Sequence, residues 1–477
     1  MSGSLWTLPD LVTASGGTLD GEARALVTGI SIDSRAIQPG DLFVALKDQR
    51  DGHEFVTSAF AAGAAAALVS AAYARQPGDG PLIRVDDTLL GLREIARAAR
   101  ARLSTEARVI AVTGSAGKTT TKEMLRTALA SIGPTHAADK SFNNHWGVPL
   151  TLARMPRETQ FAVIEIGMNH AGEIADLVPL ARPHVAIVLN VLPAHLGHFD
   201  SIEGIARAKA EIFSGLVEGG TAILNADTNH TDVLLAAARR ATATVRTFGL
   251  FSQDDSRDAW PTNTGDPMGP GQATARIGLR SGGQINCPMP APGWHISLNA
   301  AAMVLALKAV GADPERAIRA LHGMAAPAGR GERIWIALPE DGKLLLIDES
   351  YNANPGSMAA AISTVRGPAE AKGTRLVLVL GEMLELGEHA EKLHNDLREI
   401  IGKYHNTLVF AAGPNMSAMF DGLPEPMRGG KAATAAELQQ MVLAALQPGD
   451  VVMVKGSNGS KVWQIANVLK QMRQPAR

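Results

Sequence analysis

Residues 112–125 read "VTGSAGKTTTKEML". A β-branched apolar run at 109–113 leads into them, and a helical pattern starts at Lys118. Strand, Gly-rich turn and helix, in that order, predict a phosphate-binding loop in an α/β sheet. Gly114 and Gly117 let the backbone turn sharply and approach an anion with no Cβ in the way. The helix start offers unpaired N–H groups and the positive end of its dipole. Lys118 adds a point charge for the β and γ phosphates of ATP, and Thr119 a hydroxyl for Mg²⁺; Ser115, Ala116 and Thr120 complete the loop. A plain structural turn does not explain a lysine at a helix start, where the dipole disfavours cations. One oddity stands: the usual nucleotide loop has a further glycine where this chain has Val112.

Outward from the loop, apolar strand candidates follow at 161–167 ("FAVIEIG"), 185–191 ("VAIVLNV") and 220–227 ("GTAILNAD"). Helical stretches at 172–181 and 202–216 separate them, which predicts a parallel sheet covered on both faces. Residues 252–271, rich in Gly, Pro, Asp and Ser, read as a loop. "ATARIGLRSGGQINCPM" reads as a hairpin turning at Gly282 and Gly283, and "SLNAAAMVLALKAVGA" as a helix. A second α/β unit starts near Ala328, with strand candidates "KLLLIDES", "TRLVLVLGE", "NTLVFAAG" and "DVVMVKGS". The block ahead of the loop ends near Ser104 in an Arg-rich helical stretch, "GLREIARAARARL". The expected division is 1–104, 105–327 and 328–477, all of α/β class.

Composition narrows the function classes. The chain has 477 residues and a net charge of -2, which argues against a large nucleic-acid or acidic-membrane surface. Cys287 is the single cysteine, so intramolecular disulfides and multi-cysteine zinc sites are excluded and a reducing compartment is expected. The start has no basic stretch followed by an apolar one, so a cytoplasmic protein is expected. The longest apolar run, 61–74, is too short and too rich in Ala and Gly to span a bilayer; it is expected to be a packed helix. Nothing demands more than a monomer.

Three further positions draw attention. Glu165 lies inside an apolar strand and needs a partner. It is either half of a buried ion pair or a magnesium ligand beside the loop, at the strand end where α/β sheets place ligands. His195 follows a strand and Lys209 sits on the next helix; taken singly, both residue types read as solvated surface. "DSR", with Ser34 and Arg35, reads on its own as a surface turn.

Taken together, "TGSAGKTTTKE", "SFNNHWGVPLTL", "EIGMNHAGEIA", "AHLGHFDSIEGIARAKAEIF", "DESYNANPGSM", "GEMLELG" and "KGSNGSKVW" resemble the Mur ligases of bacterial cell-wall synthesis, across all three blocks. The form TGxxGKT is that family's own, which removes the oddity at Val112. The resemblance implies three domains: one for the UDP-substrate, a central ATP-binding domain, and a Rossmann-like C-terminal domain that closes over ATP. It also implies ATP- and Mg²⁺-dependent amide-bond formation through an acyl phosphate. "DESYNANPGSM" is similar to the branch that joins D-alanyl-D-alanine to UDP-N-acetylmuramoyl-tripeptide. Siblings that add one amino acid, or that polyglutamylate folate, would share the loop, Glu165, His195 and Lys209. A nucleotide switch would keep the loop alone.

Carried over residue by residue, the resemblance puts Lys118 and Arg330 on the phosphates and Thr119 and Glu165 on magnesium. Lys209 falls where family members carry a CO₂-modified lysine, a ligand for a second magnesium with His195. Asn299 would pack on adenine and Glu349 would serve the adenosine side. Tyr351, Asn352 and Asn354 would lie near ATP and the incoming amine, Asn144 would face substrate, and Ser34 and Arg35 would hold the UDP end. Two positions depart from the family pattern: Ile296 replaces a usual asparagine, and Trp146 a usual aliphatic residue.

Overall fold

The computed structural model describes residues 4–194, 196–242, 244–250, 257–265, 272–339 and 342–472. Its centre is a nine-stranded sheet. In spatial order the strands are Gln284–Met289, Ala273–Leu279, Ala259–Pro261, Thr244–Phe248, Thr221–Asn225, Val185–Val188, Arg108–Thr113, Phe161–Glu165 and Thr135–Ala137. From Ala259–Pro261 to Thr135–Ala137 the neighbours run parallel; the first two strands form an antiparallel hairpin on that edge. The hairpin turns at Gly282 and Gly283, with φ of 91° and 86°, as their pairing in the sequence implies.

Arg108–Thr113 lies inside the sheet, and its residues alternate between two cores. Ile110 and Val112 pack with Met124, Leu125 and the helix Trp294–Ala309, while Val109 and Ala111 pack with Ile164, Val178 and Phe213 on the other face. Pairing sets Glu165 opposite Val112, so the carboxylate emerges at the carboxyl end of the sheet beside the phosphate loop.

The first block holds a five-stranded sheet, ordered Thr18–Asp20, Leu82–Val85, Ala66–Ser70, Asp41–Val44 and Gly29–Ser31. Here the expected helix over 61–74 is wrong. The helix Val56–Ala61 stops before Gly63, at φ 105°, and Ala66–Ser70 is the middle strand. A strand covered on both faces shows no alternation, so its apolar run reads like a buried helix.

The last block holds a six-stranded sheet, ordered Glu332–Ala337, Lys343–Glu349, Val451–Lys455, Leu376–Gly381, Thr407–Ala412 and Arg428–Ala432. The four expected strands form its interior; the two edge strands were not expected. "RGGKA" at Arg428–Ala432 has no strand composition and is held by pairing to Thr407–Ala412. The expected loop over 252–271 contains the short strand Ala259–Pro261; residues 252–256 and 266–271 of it lie outside the described residues. Among the described residues no helix is long and apolar enough to cross a membrane.

Three histidines, His394 buried and His184 and His136 partly so, give the fold a pH dependence. Burial, reinforced by Arg100, Arg108 and Arg182, lowers the His184 pKa from 6.5 to about 4, and its Nδ1 accepts the Val109 N–H at 2.9 Å. Burial also lowers His136 and His394. Below about pH 6.5 the unfolded chain binds protons that the folded chain refuses, so stability is lost as pH falls toward 4. The melting temperature is expected to fall steadily between pH 6.5 and 4.5, with proton uptake on unfolding. A flat profile across that window would contradict this reading.

Candidate active site

Loop 114–117 follows the strand Arg108–Thr113, and Gly117 starts the helix Lys118–Ala130 at φ 84°. A Cβ on Gly117 would lie 2.6 Å from Nδ2 and 3.0 Å from Oδ1 of Asn299. Asn299, buried on the helix Trp294–Ala309, is thus packed directly beneath the loop. Gly117→Ala combines left-handed strain with a clash on a buried side chain. It is expected to weaken ATP binding at least about tenfold, since strain of about 1–2 kcal/mol already has that effect. Calorimetric titration with ATP checks this; unchanged affinity would contradict the loop as the nucleotide cradle.

Lys118 folds back over the loop, its Nζ donating to the Gly114 carbonyl at 2.7 Å. Burial lowers its pKa; Glu165 opposes that shift and Arg330 adds to it. The negative charge of an arriving phosphate would offset both the cost of burial and the repulsion.

Glu165 is 3% exposed, and both its oxygens accept hydrogen bonds. Its Oε2 accepts from Thr119 Oγ1 at 2.9 Å, and its Oε1 from Ser141 Oγ at 2.8 Å and Asn143 Nδ2 at 2.7 Å. The structure thus brings Thr119 and Glu165 together and adds Ser141 and Asn143, which the sequence reading missed. A carboxylate inside an apolar strand signals that donors must exist, but not which residues supply them. Among the described residues no group of three or more His, Cys, Asp or Glu side chains is placed to hold a metal ion. One carboxylate, hydroxyls and an amide oxygen beside a phosphate cradle still form a hard-oxygen set, which fits Mg²⁺ because that ion keeps waters and binds phosphates.

Lys209, on the helix Ile202–Ala210, is 2% exposed. Burial, and then the charge of Lys118, hold its pKa well below the ordinary lysine value. His195 lies outside the described residues.

Across the cleft, the Arg330 guanidinium sits 4.0 Å from the centre of the Tyr351 ring. Glu349 ends the strand Lys343–Glu349 and pairs with buried Lys455 at 3.4 Å; Lys455 also donates to the Asn352 carbonyl at 3.1 Å. Lys455 is a third residue the sequence reading missed, after Ser141 and Asn143. Asn354 caps the helix Pro355–Lys372, accepting the Ser357 N–H at 2.8 Å, and its Nδ2 reaches the Ser115 carbonyl at 3.4 Å. One side chain therefore fixes that helix and touches the phosphate loop. A cavity of about 370 Å³ is lined by loop residues 115–120, Glu165, Arg330, Glu349, Tyr351, Asn352 and Asn354.

A second cavity, of about 590 Å³, is lined by Ser34, Arg35, Phe43, Lys47, Arg50 and, from the central block, Trp146. Arg35 is exposed and pairs with Asp33 at 2.8 Å, holding that carboxyl down at about 2. Asn144 lines neither cavity among the described residues; its Oδ1 accepts the Gly147 N–H at 2.9 Å, at the start of the helix Gly147–Ala153.

A phosphate loop at the carboxyl end of a parallel sheet, with a bonded carboxylate beside it and a second α/β unit lining the same cavity, defines a nucleotide-dependent enzyme that works between two units. Comparison with known proteins is consistent throughout. The family descriptions "Mur ligase family, catalytic domain", "Mur ligase middle domain" and "Mur ligase, glutamate ligase domain" match residues 26–103, 112–307 and 329–458. The UDP-N-acetylmuramoyl-tripeptide–D-alanyl-D-alanine ligase of Escherichia coli K12 is 37% identical over 468 residues, covering 98% of both chains. The Bacillus subtilis 168 protein of the same name is 34% identical, covering 94% of both. A crystal structure of MurF from Acinetobacter baumannii superposes with a TM-score of 0.83 at 30% identity, covering 99% of this chain and 100% of that one. The chain belongs to the Mur ligase family, with its three-domain α/β architecture.

Proposed function

We propose that the protein joins D-alanyl-D-alanine to UDP-N-acetylmuramoyl-tripeptide, forming the pentapeptide precursor of peptidoglycan, with ATP cleaved to ADP and phosphate. Near-full-length relatives of that name support the reading. The observation that carries it is one cavity holding Lys118, Thr119, Glu165 and Arg330, contributed by two units. We place the boundaries at 1–104, 105–327 and 328–477, in a monomer that works in the cytoplasm.

A carboxylate is a poor electrophile with a poor leaving group, and phosphorylation corrects both. A terminal carboxylate oxygen of the tripeptide attacks the γ-phosphorus, and the bond to the ADP oxygen breaks. The free amine of D-alanyl-D-alanine then attacks the acyl carbon; the C–O bond breaks, phosphate leaves, and the amine loses a proton. The first step brings negative charges together and the second develops an oxyanion beside a leaving phosphate, so cations must line the path. Lys118 reaches from the loop and Arg330 from across the cleft, with its guanidinium over the Tyr351 ring. Thr119 and Glu165 would hold magnesium, which supplies positive charge to the phosphoryl oxygens when bound.

The Lys209 amine, its pKa lowered by burial and then by Lys118, is suited to add CO₂: the free amine forms an N–C bond, a proton leaves, and a carbamate replaces a cation. That carbamate would offer an anionic oxygen to a second magnesium, with Glu165 and His195. Ser34, Arg35 and Trp146 take the UDP end in the larger cavity. Asn299 and Glu349 serve the adenosine side, while Tyr351, Asn352 and Asn354 lie toward the incoming amine. Closure of the last unit keeps water from the acyl phosphate.

Mass analysis of products formed with MgATP, UDP-N-acetylmuramoyl-tripeptide and a panel of amines tests the substrate. Pentapeptide from D-alanyl-D-alanine alone is expected. Product with single amino acids would move the protein to a sibling branch, and ATP cleavage without an acceptor would overturn the ligase reading.

A further inference from the structure

Lys122 is completely buried, which is unusual for a lysine unless its ammonium is fully paired. Its Nζ donates to the carbonyls of Ala138 and Lys140, the latter at 3.3 Å, and pairs with Glu123 Oε1 at 2.8 Å. Three N–H donors therefore meet three acceptors. The two carbonyls belong to residues 138–146, which form neither helix nor strand between Thr135–Ala137 and Gly147–Ala153. That segment carries Ser141 and Asn143, the donors that hold Glu165 Oε1. With no ladder of its own, it depends on anchors from outside. Gly167 N–H on the Asn143 carbonyl at 2.8 Å is one, and Lys122 is another.

Thr119 and Lys122 stand three residues apart on the helix Lys118–Ala130, on one face. Thr119 holds one oxygen of Glu165 directly. We propose that Lys122 is a positioning residue that holds the other oxygen indirectly, by fixing the segment that presents Ser141 and Asn143. One helix face then orients both the phosphate cradle and the carboxylate assigned to magnesium. The inference rests on that assignment of Glu165. A lysine that merely filled the core would affect stability and leave the behaviour toward magnesium alone.

The test compares the wild type with Lys122→Met, an unbranched apolar side chain one atom shorter that removes the donors, and with Lys122→Gln, which keeps two N–H groups. ADP binding is titrated calorimetrically over a series of Mg²⁺ concentrations, beside melting temperature and KM for the UDP-acceptor. Loss of a group that orients a metal ligand typically weakens metal binding about 10–100-fold. Lys122→Met is expected to raise the Mg²⁺ needed for half-maximal ADP binding by about tenfold or more. KM for the acceptor should stay within about twofold, and Lys122→Gln should fall between. In a Ser141→Ala background the Lys122→Met effect on Mg²⁺ should shrink, because both changes act through one path. Unchanged Mg²⁺ dependence in the folded variants, or full additivity with Ser141→Ala, would overturn the proposal. Wild-type ADP binding that ignores Mg²⁺ would instead overturn the assignment of Glu165 itself.

Discussion

Lys118→Ala is expected to lower turnover by about 10²–10³-fold, the usual effect of removing one preorganised group that stabilises transition-state charge. The Lys118 ammonium is the cation of the loop, poised against the Gly114 carbonyl at 2.7 Å, and its loss leaves Arg330 on the far side of the cavity without its counterpart. Lys118→Arg should not restore the rate, because a planar guanidinium does not fit the place of a compact ammonium folded over four loop residues. Single-turnover phosphate formation with both acceptors present measures this directly. Retention of more than about a tenth of wild-type turnover would mean that the loop holds the nucleotide without assisting transfer.

The second large effect is expected at Lys209. Lys209→Ala should lose about 10–100-fold or more, because a buried group that would supply an anionic ligand is gone. Added bicarbonate should not help, since no amine remains to take up CO₂. A short carboxylate such as acetate, small enough to enter the space left by the side chain, should restore part of the rate. Near-normal turnover by the unrescued variant would remove the carbamate from the mechanism. So would wild-type activity indifferent to exhaustive CO₂ depletion.

What was legible in the sequence was local. Gly114, Gly117, Lys118 and Thr119 act within one strand-turn-helix, so their spacing alone declares a phosphate cradle. Phe161–Glu165, Val185–Val188 and Thr221–Asn225 announced themselves by their apolar composition, whereas Thr244–Phe248, inside the same sheet, did not. What was not legible depends on partners far along the chain. Ser141 and Asn143 matter because they reach Glu165, and Lys455 matters because it reaches Glu349. Nothing near them in the sequence records those contacts. Ala66–Ser70 failed for a related reason, since burial on both faces erased the alternation that marks a strand. Asn354 is different: "NPGS" carries the Asn cap, the Pro in the first turn and the Ser of a capping box, so its structural role could have been read. That same cap touches the Ser115 carbonyl, which only the fold reveals.

The central claim is that the acceptor carboxylate, and not water, attacks ATP. UDP-N-acetylmuramoyl-tripeptide labelled with ¹⁸O in its terminal carboxylate, turned over with MgATP and D-alanyl-D-alanine, tests it in one measurement. Transfer of one labelled oxygen from the carboxylate into each phosphate released is the expected result. Phosphate that takes its new oxygen from solvent would contradict it, and would leave the site an ATP-hydrolysing cleft with no ligase chemistry.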